Sequence, residues 1–308
     1  MLKINVYSNK ILIKIETLLT TVTRSKATFK FSSKTAVNLS YKIYGETHSE
    51  EPTILLLHGL LGTKKHWDSI GKTILNVTKR HVVSVDLRNH GDSPHTTSHK
   101  YEDLAEDILK LLDRLTVNRV SFVGHSMGGR AAMTVSLLAP EKVAGLLVLD
   151  ISPISNSKQL TEYLPSVLQA MREVNFKNQV KINTAKQKVK KQLQSIIKDD
   201  ILMKAVLSNV KMKPDHTIGW ACNVDILTKH FKYIASFPVD MKRKMYYGPT
   251  LFIGGQLSEF LPPDDLVGIR EMFPRAVITY VPQVDHNVHV EDPKTFLELA
   301  ITFLRTNK

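Results

Sequence analysis

Ser126 lies at the centre of a Gly-x-Ser-x-Gly motif. Residues 124–129 have the sequence Gly-His-Ser-Met-Gly-Gly, and they follow the apolar, strand-like run 120–123. A helical pattern begins at Arg130. A serine on a sharp turn between a strand and a helix is exposed at the end of a sheet, where its hydroxyl can attack a carbonyl carbon. We therefore predict Ser126 to be a nucleophile.

A serine hydroxyl needs a base to take its proton, and histidine has a suitable pKa. In strand–turn–helix serine sites the chain order is serine, acid, histidine, and the histidine follows the last strand. The last predicted strand covers residues 276–281. We therefore predict His286 as the general base, with His289 as the alternative.

The acid that orients the base is less obvious from the sequence. Its usual place is the loop after the predicted strand 250–253, but that loop contains no aspartate and its one carboxylate is Glu259. Asp150 follows the predicted strand 143–149, which would neighbour the nucleophile strand. We favour Asp150 as the acid and keep Asp225 and Glu259 as alternatives.

Two backbone N–H groups are expected to stabilise the oxyanion that forms when a serine attacks an ester. One should be that of Met127, because it opens the helix after the nucleophile. The other should come from the loop after His58 and Gly59, most simply from Leu60.

Apolar runs alternate with helical patterns along the chain, which predicts an α/β fold with a mostly parallel central sheet and helices on both faces. The predicted strands are residues 37–44, 53–57, 81–85, 120–123, 143–149, 250–253 and 276–281. Outside residues 156–237, the predicted helices are residues 67–77, 101–115, 126–139, 264–273 and 293–305.

This alternation stops after the strand that ends at Asp150. Residues 156–237 lack strand-like runs and predict several helices, so we expect a helical cap over about residues 154–247. Such a cap would cover the carboxyl ends of the strands, where ligands bind in open α/β sheets. Its apolar residues are candidates for an acyl-chain pocket: Tyr163, Leu164, Val167, Leu168, Met171 and Phe176.

Length and composition are those of an ordinary globular protein. The chain has 308 residues, of which 43% are hydrophobic, and no apolar run is long enough for a transmembrane helix. The single cysteine, Cys222, excludes an internal disulfide, and no spacing suggests a metal cluster. We expect no cofactor and no metal.

The net charge of +13 is unevenly distributed. Residues 1–34 contain seven Lys or Arg and one Glu, and they are rich in Ser and Thr, which predicts a mitochondrial presequence ahead of a hydrolase domain at 35–308. A second cluster of lysines lies between Lys177 and Lys198. Without interleaved aromatic residues it predicts a solvated helix face and no nucleic-acid binding.

Several motifs together resemble the α/β-hydrolase superfamily. They are residues 58–62 (His-Gly-Leu-Leu-Gly), 86–94 (Asp-Leu-Arg-Asn-His-Gly-Asp-Ser-Pro), 124–129, 150–153 (Asp-Ile-Ser-Pro), 220–225 and 248–252. Within the superfamily they are most similar to the group of α/β-hydrolase domain-containing protein 11 and related bacterial esterases. The resemblance runs from about residue 39 to the C-terminus.

The resemblance implies a mitochondrial, matrix serine hydrolase that cleaves lipid esters, with diacylglycerol as the suggested substrate. It implies the roles given above for Ser126 and His286, and it leaves Asp150 and Asp225 as alternative acids. It also implies a link to the 2-oxoglutarate dehydrogenase complex. The alternatives are thioesterase or perhydrolase chemistry on the same residues, or a non-catalytic role that stabilises that complex.

The chain departs from this group on both sides of the predicted base. The group has Gly before the histidine and an aromatic residue after it, whereas this chain has Asp285 and Asn287. Glycine at this position in the group suggests a positive φ there. We therefore expect Asp285 to adopt a positive φ, which Asp tolerates better than most residues. A carboxylate at this position is also expected to offer His286 a competing partner.

Overall fold

A seven-stranded sheet forms the centre of the computed structural model, which describes residues 35–45 and 50–308. The predicted presequence lies outside the described residues. The strands of the sheet, in chain order, are β1 (Tyr41–Tyr44), β2 (Thr53–Leu57), β3 (Val82–Val85), β4 (Val120–His125), β5 (Val143–Leu149), β8 (Thr250–Gly255) and β9 (Ala276–Val281). A separate antiparallel pair contains β6 (Val210–Met212) and β7 (Ile218–Trp220).

The spatial order of the large sheet is β1-β3-β2-β4-β5-β8-β9, and all pairs are parallel except β1 with β3. Strand β4, which leads to Ser126, therefore lies at the centre. Strand β5 lies between β4 and β8, so the carboxyl ends of these three strands meet at one edge. The predicted α/β fold with a mostly parallel sheet is confirmed.

The described residues form eleven α-helices, and the five that were predicted individually match their predicted bounds to within a few residues. The eleven are α1 (Asp68–Thr78), α2 (Tyr101–Arg114), α3 (Met127–Leu138), α4 (Leu164–Arg172), α5 (Ile182–Leu193), α6 (Asp200–Ser208), α7 (Val224–Lys229), α8 (Phe231–Ala235), α9 (Leu266–Met272), α10 (Val288–Glu291) and α11 (Pro293–Thr306). A π-helical turn (Gln159–Tyr163) precedes α4, and 3₁₀ turns cover Lys64–Trp67, Pro140–Lys142, Val239–Arg243 and Pro263–Asp265.

The sheet is buried on both faces, which explains why its inner strands are continuous apolar runs. Ile54 and Leu56 of β2 pack in one core cluster with residues of α1 and α11. Leu55 and Leu57 point to the opposite face and are also fully buried. On that face α2 packs against α3, and α3 contacts β4 and β5.

The first strand is shorter than predicted. We expected it to begin at Val37, but β1 begins at Tyr41. The Val37 N–H donates to the Asp107 carboxylate at 2.7 Å, and the Ser40 N–H donates to Ser93 Oγ at 2.8 Å. Side chains thus satisfy the backbone groups that a longer strand would have paired.

The segment between β5 and β8, residues 150–249, is here named the inserted segment. It contains α4 to α8, but it also contains two strands, whereas we expected helices alone. Strands β6 and β7 form a hairpin whose turn is closed by a hydrogen bond from the Lys213 N–H to the Thr217 carbonyl at 2.7 Å. Asp215 stabilises this turn by accepting the Thr217 N–H at 3.0 Å. Each strand has only three residues, which is too short to show a recognisable alternation in the sequence.

Arg130 joins this segment to the nucleophile helix. Its guanidinium group is buried and donates to the Ser152 carbonyl at 2.7 Å, the Ala235 carbonyl at 2.7 Å and the Asn156 side chain at 2.8 Å. Because one side chain of α3 binds both ends of the inserted segment, the elements over the sheet edge are held relative to Ser126.

No helix within the described residues is long and apolar enough to cross a membrane. The same residues contain no cluster of His, Cys, Asp and Glu side chains that could hold a metal ion.

Candidate active site

Ser126 occupies a strained turn between β4 and α3. Its backbone has φ +51° and ψ −118°, outside the regions that L-residues favour. The Ser126 N–H donates to the Leu149 carbonyl of β5 at 2.9 Å, and the Arg130 N–H donates to the Ser126 carbonyl at 3.1 Å. Strain of this kind persists only where the surroundings hold it in place, and here it lifts the hydroxyl away from the strand end.

The two glycines of the motif allow this turn because backbone atoms approach them closely. A Cβ atom on Gly124 would lie 2.6 Å from the Gly128 carbonyl oxygen. A Cβ atom on Gly128 would lie 2.5 Å from the Leu57 carbonyl oxygen of β2. Both distances are too short for any side chain, so the spacing of Gly-x-Ser-x-Gly follows from the packing of α3 on β2 and β4.

Asp150 lies directly after β5 and is fully buried. Its Oδ1 accepts the Gly255 N–H at 2.9 Å. Its Oδ2 lies 2.8 Å from His286 Nδ1 and also accepts the Ser258 hydroxyl. Hydrogen bonds from three donors hold this carboxylate in one orientation, with one oxygen directed at the imidazole ring.

The end of β8 and the loop after it supply hydrogen-bond donors to the acid in place of an aspartate. Gly255 is the last residue of β8 and Ser258 lies in the loop after it, and both donate to Asp150 at the end of the neighbouring strand β5. Strand pairing explains the contact, since Leu149 lies opposite Ile253 in the register of β5 and β8. The contribution of Ser258 was missed in the sequence, where a serine in a loop gives no distinctive signal.

His286 is held on several sides. Its ring stacks on Phe260 with the centroids 3.8 Å apart, and its carbonyl oxygen lies 3.0 Å from His125 Nε2. Glu291 accepts both flanking N–H groups, that of Asp285 and that of Asn287, each at 3.0 Å. The backbone on either side of the predicted base is therefore attached to one carboxylate, which the sequence analysis did not anticipate.

Two expectations about Asp285 are wrong. This residue is not among the described residues with a positive φ. Its carboxylate accepts the His286 backbone N–H at 2.8 Å and does not compete for the ring, which pairs with Asp150. Burial raises the pKa of the Asp285 carboxyl.

Ser126 and His286 line one cavity of about 490 Å³. Within the part of the chain that the structure describes, no hydrogen bond joins Ser126 Oγ to the imidazole ring. Hydrogen bonds of this type are often long in unliganded enzymes and shorten when substrate binds. The cavity brings the predicted nucleophile and base together with space for a reacting group.

The predicted oxyanion donors lie beside Ser126. A Cβ atom on Gly59 would lie 3.2 Å from the Ser126 Cβ atom, so the loop that contains Leu60 contacts the nucleophile turn. Met127 is the first residue of α3. In residues 35–45 and 50–308, neither the Leu60 N–H nor the Met127 N–H has an acceptor in the protein, which leaves both available to a ligand.

Polar side chains hold the Leu60 loop in position. Leu61 has φ +61°, its N–H donates to His90 Nε2 at 3.2 Å, and its carbonyl accepts the Asn209 amide at 2.8 Å. His58 Nδ1 donates to the Gly59 carbonyl at 2.8 Å. Asn209 follows α6, so the inserted segment also contributes to the geometry of this loop.

The alternative site residues lie elsewhere. Asp225 is exposed on α7 and pairs with Arg172 at 2.8 Å. Glu259 is exposed and does not line the cavity. His289 is buried, where its ring stacks on Trp67 with the centroids 4.8 Å apart. In the described part of the chain, none of the three forms a hydrogen bond, ion pair or ring contact with Asp150 or His286.

The apolar wall of the cavity differs from the expected acyl pocket. Of the six cap residues proposed, only Tyr163 and Leu164 line it. Val167, Leu168 and Met171 are buried inside the inserted segment, and the half-buried Phe176 packs edge-on against Trp220. The remaining apolar lining comes from the Leu60 loop, from Phe260 and from residues in and before α6: Leu60, Leu61, Phe260, Ile196, Ile201, Leu202 and Ala205.

Five buried histidines surround the site, and burial lowers the pKa of each ring. The pKa of His58 falls to about 4 and those of His99 and His289 to about 3, while those of His90 and His125 also fall well below their usual value. These rings are therefore neutral in the folded protein at pH 5, whereas in the unfolded chain they are protonated below about pH 6.5.

We expect the free energy of unfolding to fall steeply between pH 7 and pH 5. In this window the unfolded chain binds more protons than the folded protein, so lowering the pH favours unfolding by about 2 kcal/mol for each ring that stays neutral. Urea denaturation at several pH values would measure this. His289→Gln should reduce the pH dependence by about one proton, and an unchanged slope in that variant would contradict the assignment.

Comparison with known proteins identifies the family. Residues 52–293 match the family described as the alpha/beta hydrolase fold. This chain is an α/β hydrolase. The hydrolase is 36% identical over 269 residues to the zebrafish (Danio rerio) protein named sn-1-specific diacylglycerol lipase ABHD11, covering 87% of this chain and 83% of the relative. The predicted resemblance is thereby confirmed.

Two further relatives show the range of this family. The hydrolase is 30% identical over 299 residues to Ethanol acetyltransferase 1 of Eremothecium cymbalariae, covering 89% of this chain and 83% of the relative. Among solved structures, a marine microorganism esterase superimposes with a TM-score of 0.76 and 28% identity, covering 87% of this chain and all of that one. The hydrolase is thus a carboxylic ester hydrolase by family.

Proposed function

We propose that this hydrolase cleaves lipid esters, with diacylglycerol as a substrate, through an acyl intermediate on Ser126. The observation that carries the proposal is the 2.8 Å contact between His286 Nδ1 and the buried Asp150 carboxylate, in a cavity that Ser126 also lines. The diacylglycerol lipase name of the 36% identical relative supports this choice of substrate.

In this proposal Ser126 Oγ attacks the ester carbonyl carbon while His286 Nε2 takes the hydroxyl proton. Asp150 accepts a hydrogen bond from His286 Nδ1–H, which holds the required tautomer and stabilises the imidazolium ion. The Leu60 and Met127 N–H groups bind the oxyanion. Each donor of this kind typically lowers the barrier by about 3 kcal/mol.

Collapse of the tetrahedral intermediate releases the alcohol, which receives its proton from His286. Water then attacks the acyl-serine ester with His286 again acting as the base, and the fatty acid leaves. The apolar wall of Tyr163, Leu164 and Phe260 favours an acyl chain over a charged group, because a charge placed there would lose its hydration.

Labelling with a fluorophosphonate probe tests the proposed nucleophile. The probe reacts with an activated serine hydroxyl, so we expect a covalent adduct on Ser126 when the folded protein is digested and mapped by mass spectrometry. Heat-denatured protein is the control, since its serine is no longer activated. A folded protein with no adduct on Ser126 would contradict the mechanism.

The acyl intermediate can react with an alcohol in place of water, and the relative named Ethanol acetyltransferase 1 supports testing this acceptor. Turnover of an ester in buffer with added ethanol would show the ratio of fatty acid to ethyl ester. The same assay with a thioester and with hydrogen peroxide tests the alternatives of thioesterase and perhydrolase chemistry.

We propose a mitochondrial matrix location, with residues 1–34 as a cleaved presequence. The support is the basic, hydroxyl-rich and acid-poor composition of these residues. Sequencing the N-terminus of the protein from isolated mitochondria would test it, and an intact Met1 would contradict cleavage.

Co-purification with the 2-oxoglutarate dehydrogenase complex from the same material would test the proposed partner, which rests on resemblance alone.

A further inference from the structure

The most uneven charge distribution in the described part of the chain lies in residues 174–198, here named the lysine segment. It contains seven lysines and no acidic residue. It comprises the end of the turn after α4, all of α5 and the turn before α6. No aromatic residue lies between Lys177 and Lys198, so the segment has no platform on which nucleic-acid bases could stack.

Helix α5 contains four of these lysines and buries its apolar side chains. Ala185, Val189 and Leu193 are buried against the rest of the protein. The exposed lysines of the segment are Lys177, Lys181, Lys188, Lys190, Lys191 and Lys198. Among the residues described, no lysine of the segment has a carboxylate within ion-pair distance.

A merely solvated helix face gains stability from mixed charges, because Glu and Lys four residues apart attract each other. This segment has the opposite pattern. Lys186 and Lys190 are four residues apart on α5 with no acid between them. Such an arrangement costs free energy in the isolated protein, and an anionic surface would remove that cost.

The segment also borders the candidate active site. Ile196 and Lys198 line the cavity that Ser126 and His286 share. The Tyr163 hydroxyl donates to the Ile196 carbonyl at 3.4 Å, which joins the end of the segment to the cavity wall. A surface that bound the lysines would therefore lie next to the cavity.

An apolar side chain projects from the same segment. Val180 is 78% exposed and lies between Lys177 and Lys181. Basic residues combined with an exposed apolar residue suit the boundary between lipid headgroups and acyl chains, where both attractions act together. A soluble anion would account for the lysines but not for this valine.

We propose that the lysine segment docks on an anionic lipid surface and so brings the cavity next to membrane lipids. The docking is independent of the reaction. Its consequence for catalysis rests on the proposed function, because only a lipid-ester substrate would be delivered in this way. Because lysines are attracted electrostatically to an anionic surface, the contact depends on both salt and lipid composition.

Binding to vesicles by the full chain tests the proposal. In the cap variant Lys181, Lys188, Lys190 and Lys191 are replaced by Gln, and in the control variant Lys72, Lys79, Lys242 and Lys294 are replaced by Gln. Both sets are exposed, and both variants lose the same charge and keep residues 1–34. Co-flotation with phosphatidylcholine vesicles, with and without phosphatidylserine, gives the partition coefficient, and a soluble short-chain ester gives the turnover.

We expect the cap variant to lose about tenfold or more of its partition onto phosphatidylserine vesicles, while the control variant retains its binding. Both should cleave the soluble ester like the unmodified chain. An equal loss of vesicle binding in the two variants would indicate a net-charge effect and overturn the proposal. Binding of RNA without binding of vesicles would also overturn it. If no protein cleaves any ester while the difference in vesicle binding persists, the docking stands and the proposed function fails.

Discussion

Ser126→Ala is expected to lower kcat for ester hydrolysis by about a million-fold, the loss seen when the nucleophile of a serine hydrolase is removed. The methyl group of alanine cannot form the acyl intermediate. The strained backbone and the two oxyanion donors would remain, so substrate binding should change little. Steady-state turnover with a chromogenic ester measures the effect.

Thermal denaturation of the same variant provides its control. Alanine at position 126 removes one hydroxyl from a cavity wall and leaves the close packing of Gly124 and Gly128 unchanged, so Tm should not fall. Residual activity of a tenth or more of the original in a folded variant would show that another residue attacks the ester.

Asp150→Asn has the second largest expected effect, a loss of kcat of about ten-thousand-fold. The Asp150 carboxylate accepts hydrogen bonds from Gly255, Ser258 and His286. With the amide oxygen toward the Gly255 N–H, the amide NH₂ group faces His286 Nδ1. The ring then carries its proton on Nε2 and cannot take the serine proton.

Asp225→Asn is the matched control for this change. It makes the same chemical substitution at an exposed carboxylate that pairs with Arg172, and exposed pairs contribute little to stability. We expect its turnover and Tm to match those of the unmodified protein. If Asp225→Asn abolished turnover while Asp150→Asn, still folded, retained it, the acid would be assigned wrongly.

The fold was predictable from the sequence because its signals are local. Strands buried on both faces are continuous apolar runs, as in Leu55–Leu57, and helices show their own spacing, as in α2. The hairpin of β6 and β7 was not predicted. Its three-residue strands depend on a turn held by Asp215 and on packing within the inserted segment.

The candidate nucleophile and base were also predictable, because each follows a strand in a fixed chain order. The conformation around His286 was not. The contacts of Glu291 with the N–H groups of Asp285 and Asn287 involve residues close in sequence, yet no motif marks them. The expectation of a positive φ at Asp285 was wrong because it rested on the glycine found in other members of the group.

The sequence by itself determined an α/β sheet, a strained serine turn and a histidine after the last strand, since each depends on residues within a few positions of one another. Only the tertiary structure decided which carboxylate lies beside His286 and what lines the cavity. Asp150 is separated from Ser258 and His286 by more than a hundred residues, and the three meet because β5 pairs with β8 and β8 pairs with β9. Pairing between distant strands is set by packing of the whole sheet, which no local pattern contains.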